Sequence, residues 1–214
     1  MKNDLKRHPS YIKPRKRPFQ KRSQKRVKNI LNATIILLET KGIEGVTTHH
    51  IAKEAGISVA SLYQYFPNKQ AVIYVLFQKW LDWVVDRIDK IESEYYLNMP
   101  CEDFFDRLIA EILENTLYSY RAENQLSRAM QTSPDLICLD RQHGDIIAER
   151  LAGYLKGYGS QLPIKDLKES GHLLYQMCSL LYYQFGDETI MKRERLLHWS
   201  RTMVHALLRD CLET

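Results

Sequence analysis

The chain has 214 residues, of which 44% are hydrophobic and 27% are charged, so it can bury a sizeable core in one large or two small domains. No run of about 18 apolar residues occurs, and no apolar stretch of roughly 7–15 residues follows the basic residues at its start, so we expect neither a membrane helix nor a secretory signal. We therefore expect a cytoplasmic protein that has no membrane partner.

The cysteines give no sign of a disulfide framework or of a metal site. They are far apart in the sequence, and no C-x-x-C pair occurs. This spacing favours reduced, mostly packed thiols over a zinc site, and it leaves redox sensing as an alternative. The four residues are Cys101, Cys138, Cys178 and Cys211.

The formal net charge of +5 is divided unevenly along the chain. Residues 1–80 carry 16 lysines and arginines against 4 aspartates and glutamates, a balance of +12, whereas residues 81–214 carry 15 against 22, a balance of −7. Residues 1–22 are rich in basic side chains, contain three prolines and hold a single acid, Asp4. This basic arm is predicted to be disordered when free. The N-terminal part of the chain is therefore suited to a polyanion such as DNA.

The first long helix is predicted to begin near Ser23, which places basic residues at its N-terminal end. The helix dipole is positive there, so each exposed cation costs roughly 0.3–1 kcal/mol. Several cations at the end of a helix where the dipole disfavours them suggest that a bound anion compensates for their cost. We expect the arm and this helix end to follow the DNA backbone or to enter its minor groove, with contacts from Arg22, Lys25 and Arg26. A merely solvated tail is the alternative.

Residues 47–69 contain the start and stop signals of two short helices joined by a tight turn. Thr47 or Thr48 can cap the first helix, and Gly56 can take the left-handed conformation that stops it. Between these signals the apolar residues fall on one helical face. They are Ile51, Ala52 and Ala55.

The second short helix is predicted to be capped by Ser58 and to bury Leu62 and Phe66, which are four residues apart. Pro67 prevents its continuation, so it is about two turns long and too short to stand alone. A short helix held by its neighbours suits insertion into the major groove of DNA. Its outward residues are predicted to be Val59, Ala60, Ser61, Tyr63, Gln64 and Tyr65.

This segment resembles the DNA-binding motif of the TetR family of bacterial transcription regulators, whose pattern runs T-x-x-x-I-A-x-x-A-G-V-S-x-G-x-L-Y-x-Y-F-x-x-K. The chain matches nearly every fixed position, and the preceding helix also fits, so the resemblance covers about residues 25–75. Thr34 replaces a common alanine, Leu38 a common phenylalanine and Ala60 a common glycine. Ala60 keeps the small size, and Thr34 can bond the carbonyl one turn back.

The resemblance implies an all-α protein with an N-terminal three-helix helix-turn-helix DNA-binding domain at residues 23–70. A long helix would join it to a C-terminal helical ligand-binding and dimerisation domain at residues 71–214. It also implies two sets of DNA contacts. Residues facing the base edges would be Val59, Ala60, Tyr63 and Gln64. Residues at the phosphates would be Thr48, Ser61, Tyr65 and Lys69, with His49 reaching toward either. Ser58 is a further candidate for contact with DNA.

Gln64 is the best candidate for direct readout, because its amide can bond bidentately to adenine, and Val59 or Ala60 can touch a thymine methyl. Lys69 is placed at the start of the next helix, where free N–H groups also favour a phosphate. Tyr63 and Tyr65 could instead be packing aromatics. The pair His49-His50 could be solvated or could bind a metal, although we expect no metal site.

Beyond the motif, the apolar spacing predicts further helices. A long helix runs to about Ser93, another opens at Pro100 with inward residues as far as Leu117, and a third stretch begins at Pro134 and ends before Gly157. No alternating strand pattern of useful length occurs, which favours an all-α class.

Two terminal helices are predicted at about 164–185 and about 188–211, separated by Gly186 and Asp187. Both carry wide apolar faces. In the family that the chain resembles, the last two helices pair with their copies in a second subunit as a four-helix bundle, which implies a homodimer on a palindromic operator. The apolar residues include Leu173, Leu174, Met177, Leu180, Leu181 and Phe185 on one helix and Leu196, Leu197, Trp199, Met203, Leu207 and Leu208 on the other.

The middle helices are where the resembled family binds a small effector. Aromatic and sulfur-bearing residues there could line a pocket for a partly apolar, aromatic or acyl ligand, since tyrosines add a hydroxyl to an apolar wall. An aromatic stripe at helical spacing is more often core than a ligand site, so the same residues could instead be plain core. The candidates are Trp83, Phe105, Tyr118, Tyr154, Tyr175, Cys178 and Tyr182.

Together these features predict a transcription repressor that binds double-stranded DNA as a homodimer and is released by a small-molecule effector. One alternative is a DNA-bound protein, of nucleoid type, whose output is a protein contact made by the acidic C-terminal half. Another is an activator without a small-molecule ligand. No G-x-S-x-G elbow, Walker loop, G-x-G-x-x-G or H-E-x-x-H occurs, so we expect neither an enzyme nor a cofactor.

Overall fold

The computed structural model describes residues 14, 21–130, 133–185 and 190–213 of the chain. Within these ranges the secondary structure is entirely helical, which confirms the predicted all-α class. The helices are α1 (Lys21–Gly45), α2 (Thr48–Glu54), α3 (Val59–Tyr63), α4 (Lys69–Tyr95), α5 (Cys101–Glu114), α6 (Tyr120–Met130), α7 (Pro134–Gly157), α8 (Ile164–Phe185) and α9 (Ile190–Glu213).

Helix α1 starts close to the predicted position and buries one apolar face. Its buried residues recur at helical spacing, and Thr34 lies among them with its hydroxyl donating to the Ile30 carbonyl at 2.8 Å. This is the bond expected of a threonine at that position. Near its end the helix is interrupted at Gly42, which has φ 67° and ψ 173°. That backbone conformation is essentially restricted to glycine, and it makes the chain turn a corner at Gly42.

Helix α6 has no counterpart in the sequence prediction. Its fully buried side chains include Ala122 and Leu126, but Glu123, Asn124 and Ser127 are buried beside them. The helix contains few large apolar residues, so no run of them marked it as a helix in the sequence.

Leu117 was predicted to point inward but is exposed. It lies beyond the end of α5, because Asn115 takes an extended conformation that stops the helix soon after the buried Leu113. The inward direction assigned to Leu117 was therefore wrong.

The chain divides into two compact units. The N-terminal unit comprises Met1–Trp80 together with Arg121–Ile137, and the C-terminal unit comprises Leu81–Tyr120 together with Cys138–Thr214. The division falls within α4 and again within α7, whereas the sequence places one boundary between residues 70 and 71. The N-terminal unit therefore includes α6, a segment that is remote from it in sequence.

Each unit has its own core. In the N-terminal unit, Leu62 and Phe66 are fully buried together with Phe77 of α4. Burial of each such side chain is worth about 1.5–3 kcal/mol. In the C-terminal unit, Phe104 and Tyr154 lie in an aromatic cluster with ring centroids 5.1 Å apart. The short helices α2 and α3 thus rest on a packed support.

Candidate nucleic-acid interface

Helix α2 begins and ends at the predicted residues. Thr47 is its N-cap, and the Thr47 hydroxyl oxygen accepts the backbone N–H of His50 at 3.1 Å. At the other end Gly56 has φ +65°, its N–H donates to the Lys53 carbonyl at 3.2 Å, and the next N–H donates to the Ala52 carbonyl at 3.0 Å. This pair of bonds is a Schellman motif, which satisfies the last carbonyls and turns the chain.

Helix α3 is capped by Ser58, whose hydroxyl oxygen accepts the Ser61 N–H at 3.1 Å. The helix has 5 residues, and the N–H of Phe66 continues the turn by donating to the Leu62 carbonyl at 3.0 Å. Leu62 and Phe66 are buried as predicted. A helix this short has no stability of its own, so the underlying core holds it in place.

The side chains predicted to face DNA differ in exposure. The glutamine chosen for base readout is among the exposed ones. The exposed residues are His49, Ser58, Ala60, Tyr63 and Gln64, and the half-buried ones are Thr48, Val59, Ser61 and Lys69. The structure therefore brings these predicted DNA-facing residues to the surface of one helix-turn-helix.

Tyr65 does not point outward as predicted, because only 8% of it is exposed. Helix α3 ends at Tyr63 with Gln64 as its C-cap, so the outward face of the helix does not extend to the next residue. Tyr65 belongs to the core, in agreement with the alternative that it is a packing aromatic. Tyr63 is 38% exposed and remains at the surface.

A hydroxyl pair links the two short helices. The Thr48 hydroxyl oxygen lies 3.3 Å from the Tyr63 phenolic oxygen. The pair ties the first turn of α2 to the last residue of α3, next to Gln64. Sequence reasoning did not foresee this link, although both residues were among the predicted contacts.

Lys69 is the first residue of α4, as predicted, but its side chain also has a structural bond. Its ammonium donates to the Ile43 carbonyl at 3.3 Å. An ammonium has three donors, so this bond leaves two for a phosphate. The helix start is capped by Asn68, whose side-chain oxygen accepts the Ala71 N–H at 2.8 Å.

The two adjacent histidines have different surroundings. His49 is exposed, whereas the Nδ1 of His50 lies 2.8 Å from the Gly45 carbonyl oxygen and so binds the end of α1. The part of the chain that the structure describes contains no group of three His, Cys, Asp or Glu side chains that could hold a metal ion.

The beginning of α1 is basic. No acidic residue occurs in its first turn. Lys21, Arg22 and Lys25 are exposed, and Arg26 is half-buried. Because α1 starts at Lys21, the charges lie within its first two turns, at the positive end of the dipole. Apart from Pro14, the preceding part of the basic arm lies outside the described residues.

Two of the tyrosines predicted to line an effector pocket are hydrogen-bonded to carboxylates within the C-terminal unit. The Tyr154 hydroxyl donates to Glu92 Oε2 at 2.6 Å, and the Tyr175 hydroxyl donates to Asp140 Oδ1 at 2.6 Å. Burial, with the neighbouring carboxylate, raises the pKa of both phenols, which keeps them neutral donors.

The other pocket candidates have mixed surroundings. Phe105 is fully buried, and the Arg87 guanidinium lies 5.8 Å from the centroid of the half-buried Trp83 ring. Tyr118 is also half-buried, and the Tyr182 side chain lies outside the described residues.

Burial raises the pKa of the thiols of Cys101, Cys178 and Cys211. The pKa of Cys101 and that of Cys178 are each raised to about 12. Such thiols stay protonated at neutral pH and are poor nucleophiles, which weighs against redox sensing at these two positions.

An open cleft of about 570 Å³ lies along α5 in the C-terminal unit. Its walls are strongly charged, and none of the predicted pocket residues lines it. Sequence reasoning missed it, because acidic residues on a helix normally indicate a solvated face. The lining consists of Met99, Asp103, Asp106, Arg107, Ala110, Glu111, Glu114, Asn115 and Arg201.

Part of the N-terminal unit is similar in sequence to known proteins. Residues 30–74 match the sequence model of the bacterial regulatory proteins of the tetR family. A helix-turn-helix (HTH)-type transcriptional regulator of Staphylococcus aureus is 30% identical over 78 residues, which cover 36% of this chain and 40% of the relative. The chain thus matches less than half the length of this curated relative.

Solved structures share the fold over most of the chain. A transcriptional regulator from Rhodococcus sp. superimposes with a TM-score of 0.71 at 18% identity, covering 86% of this chain and 96% of the other. A TetR-family transcriptional regulator from Streptomyces coelicolor gives a TM-score of 0.57 at 23% identity, covering 87% and 99%.

None of the helices in the described ranges is long and apolar enough to cross a membrane. Residues 30–74, which include the capped helices α2 and α3, therefore resemble the tetR family of bacterial regulatory proteins in sequence. Most of the chain shares the helical fold of the solved transcriptional regulators.

Proposed function

We propose that this protein is a transcription repressor that binds a palindromic operator as a homodimer and is released by a small, partly apolar effector. The observation that carries the proposal is the short, capped α3, which presents Gln64 and Tyr63 at the surface of a basic unit. Such a helix can enter the major groove with its small first residues against the bases. The proposed DNA contacts are Thr48, His49, Ser58, Val59, Ala60, Ser61, Tyr63, Gln64 and Lys69, with Arg22, Lys25 and Arg26 from α1.

Exposed apolar residues on α8 and α9 support a dimer through these helices. Leu173 and Leu180 are 48% and 64% exposed, and Trp199 and Met203 are 54% and 50% exposed. Each pair lies on one face of its helix, because the residues are seven and four apart. Large exposed apolar patches mark interaction sites. A two-fold dimer would present two copies of α3 to two operator half-sites, and the second half-site supplies specificity that one small module lacks.

The effector proposal is supported by the chemistry of the C-terminal unit. Tyr154 donates its hydroxyl to Glu92 beside the buried ring of Phe104, and Tyr175 donates its hydroxyl to Asp140 beside the buried ring of His143. This combination suits a ligand with an apolar body and a polar group. Release of DNA requires that the effector bind better to a conformation whose two copies of α3 misfit the operator.

Calorimetry with a panel of acyl and aromatic compounds, followed by operator titration, tests the release mechanism. We expect a compound that binds the C-terminal unit to lower operator affinity by about 5- to 150-fold, the range of ordinary allosteric coupling. A compound that binds there and leaves operator affinity unchanged would count against effector-controlled release.

Deletion of residues 1–20 tests the proposed role of the basic arm. The deletion preserves α1, which begins at Lys21, and removes cations that we propose to lie along the DNA. The slope of log K against log salt is expected to become shallower by about 0.9 for each phosphate that the protein no longer neutralises. Operator titrations at several salt concentrations measure this slope. Lys165→Gln is the control, because it neutralises an exposed lysine on α8 outside the proposed interface. An unchanged slope after the deletion would show that the arm is only a solvated tail.

A further inference from the structure

The corner at the end of α1 is held by a side chain that is distant in sequence. Immediately after the break at Gly42, the backbone N–H of Ile43 donates to Gln125 Oε1 of α6 at 3.0 Å, across 82 residues of chain. The approach is close, since a Cβ atom added to Gly42 would lie 3.1 Å from the same oxygen. The glycine is therefore needed both for its positive φ and for the space that Gln125 occupies.

The carbonyl of Ile43 is held from another direction. It accepts the ammonium of Lys69, the first residue of α4, at 3.3 Å. Side chains from α6 and α4 thus bind the N–H and the C=O of one residue. We call this arrangement of Gln125, Ile43 and Lys69 the Ile43 clamp.

The Ile43 clamp lies just before the DNA-reading helices. Val46 is fully buried three residues later, Thr47 caps α2, and His50 of α2 bonds back to the carbonyl of Gly45. The chain between the clamp and α2 is therefore short and anchored at both ends. Displacing Ile43 would shift the start of α2 and, through the Thr48–Tyr63 hydroxyl pair, the end of α3.

We propose that Gln125 is a positioning residue for DNA binding, and that α6 acts on the reading helices through its bond to Ile43. The proposal rests on the proposed function. Gln125 lies outside residues 30–74, which match the family motif, yet it belongs to the same compact unit. If α6 moves away, a part-buried N–H loses its acceptor. The bond from Ile43 to Gln125 is therefore the contact through which a displacement of α6 would reach the reading helices.

A pair of nearly isosteric variants tests the positioning role. Gln125→Met keeps the length of the side chain and removes the acceptor, whereas Gln125→Glu keeps an acceptor. Gln125→Met is expected to weaken operator binding about fivefold, the factor that corresponds to one ordinary hydrogen bond. The operator affinity of Gln125→Glu is expected to stay within about twofold of that of the wild type, because a carboxylate oxygen can still accept the Ile43 N–H. Gln142→Met is the matched control, because Gln142 is an exposed glutamine of α7.

Amide hydrogen exchange of Ile43 in the DNA-free protein provides a second readout. Gln125→Met should accelerate exchange at Ile43, and Gln125→Glu should preserve its protection. Unchanged exchange in Gln125→Met would overturn the clamp itself. Accelerated exchange with unchanged operator affinity would overturn the positioning role. If the wild-type chain selects no operator, the proposed function fails together with the positioning role, while the exchange rates still report on the clamp separately.

Discussion

Replacing Trp199 by glutamate is expected to convert the proposed dimer into monomers and to weaken binding to a palindromic operator by at least about a hundredfold, or roughly 2.7 kcal/mol. Trp199 is 54% exposed on α9, close in sequence to the exposed Met203. A tryptophan at the centre of an interface is a typical hot spot, and a glutamate in its place would bury an unpaired charge. The monomer would hold one half-site, so its affinity would be that of one small module.

Sedimentation and operator titration measure the two consequences of Trp199→Glu separately. The circular dichroism spectrum should remain helical, since the side chain contributes little to the core of one protomer. Leu117→Glu is the control, because it places the same charge on another exposed apolar residue of the C-terminal unit. A Trp199→Glu protein that stays dimeric and binds the operator normally would exclude the proposed dimer interface.

Replacing Gln64 by alanine is expected to cost about 1–3 kcal/mol of discrimination at one A·T pair in each half-site. Gln64 is exposed at the end of α3, where its amide is free to lie against a base edge. Affinity for DNA that lacks the operator should change little, because phosphate contacts dominate non-specific binding. The loss should therefore appear as relaxed specificity.

Titration of Gln64→Ala against a set of operators with single base changes measures this loss. The wild-type protein should discriminate at the affected pair, and the variant should not. Gln78→Ala is the control, since it truncates an exposed glutamine of α4 within the same compact unit. Equal weakening on operator and non-operator DNA would instead assign Gln64 to the phosphate backbone.

Local chemistry explains why the helix-turn-helix could be predicted from the sequence. Thr47 and Ser58 cap the two helices, and Gly56 adopts the left-handed turn between them. Each feature depends on residues only a few positions apart. The burial of Leu62 and Phe66 follows from their spacing alone.

The departures from prediction arose where local patterns stop being informative. Tyr65 was extrapolated along a helix that ends two residues earlier, so its direction was misjudged. Helix α6 was not predicted, because polar residues such as Glu123 and Asn124 occupy part of its buried face. The bond from Gln125 to Ile43 joins residues 82 positions apart, and no periodicity encodes it.

The C-terminal unit was predictable as a set of helices but not as a site. The bounds of α8 matched those predicted, because apolar spacing and flanking breakers define a helix locally. The carboxylates that accept the hydroxyls of Tyr154 and Tyr175 come from other helices, so pairing depends on tertiary packing. The charged cleft along α5 is likewise lined in part by Arg201 of α9, so its lining also depends on tertiary packing.

Selection of bound sequences from random double-stranded DNA by the purified full chain tests the central claim most directly. The proposed function predicts a palindromic consensus with two half-sites spaced by about one helical turn or a multiple of it, as two symmetric copies of α3 require. The enriched half-site should lose its A·T preference at one position when Gln64→Ala is used. Enrichment of no sequence, or of a single unpaired half-site, would contradict a dimeric operator-binding repressor.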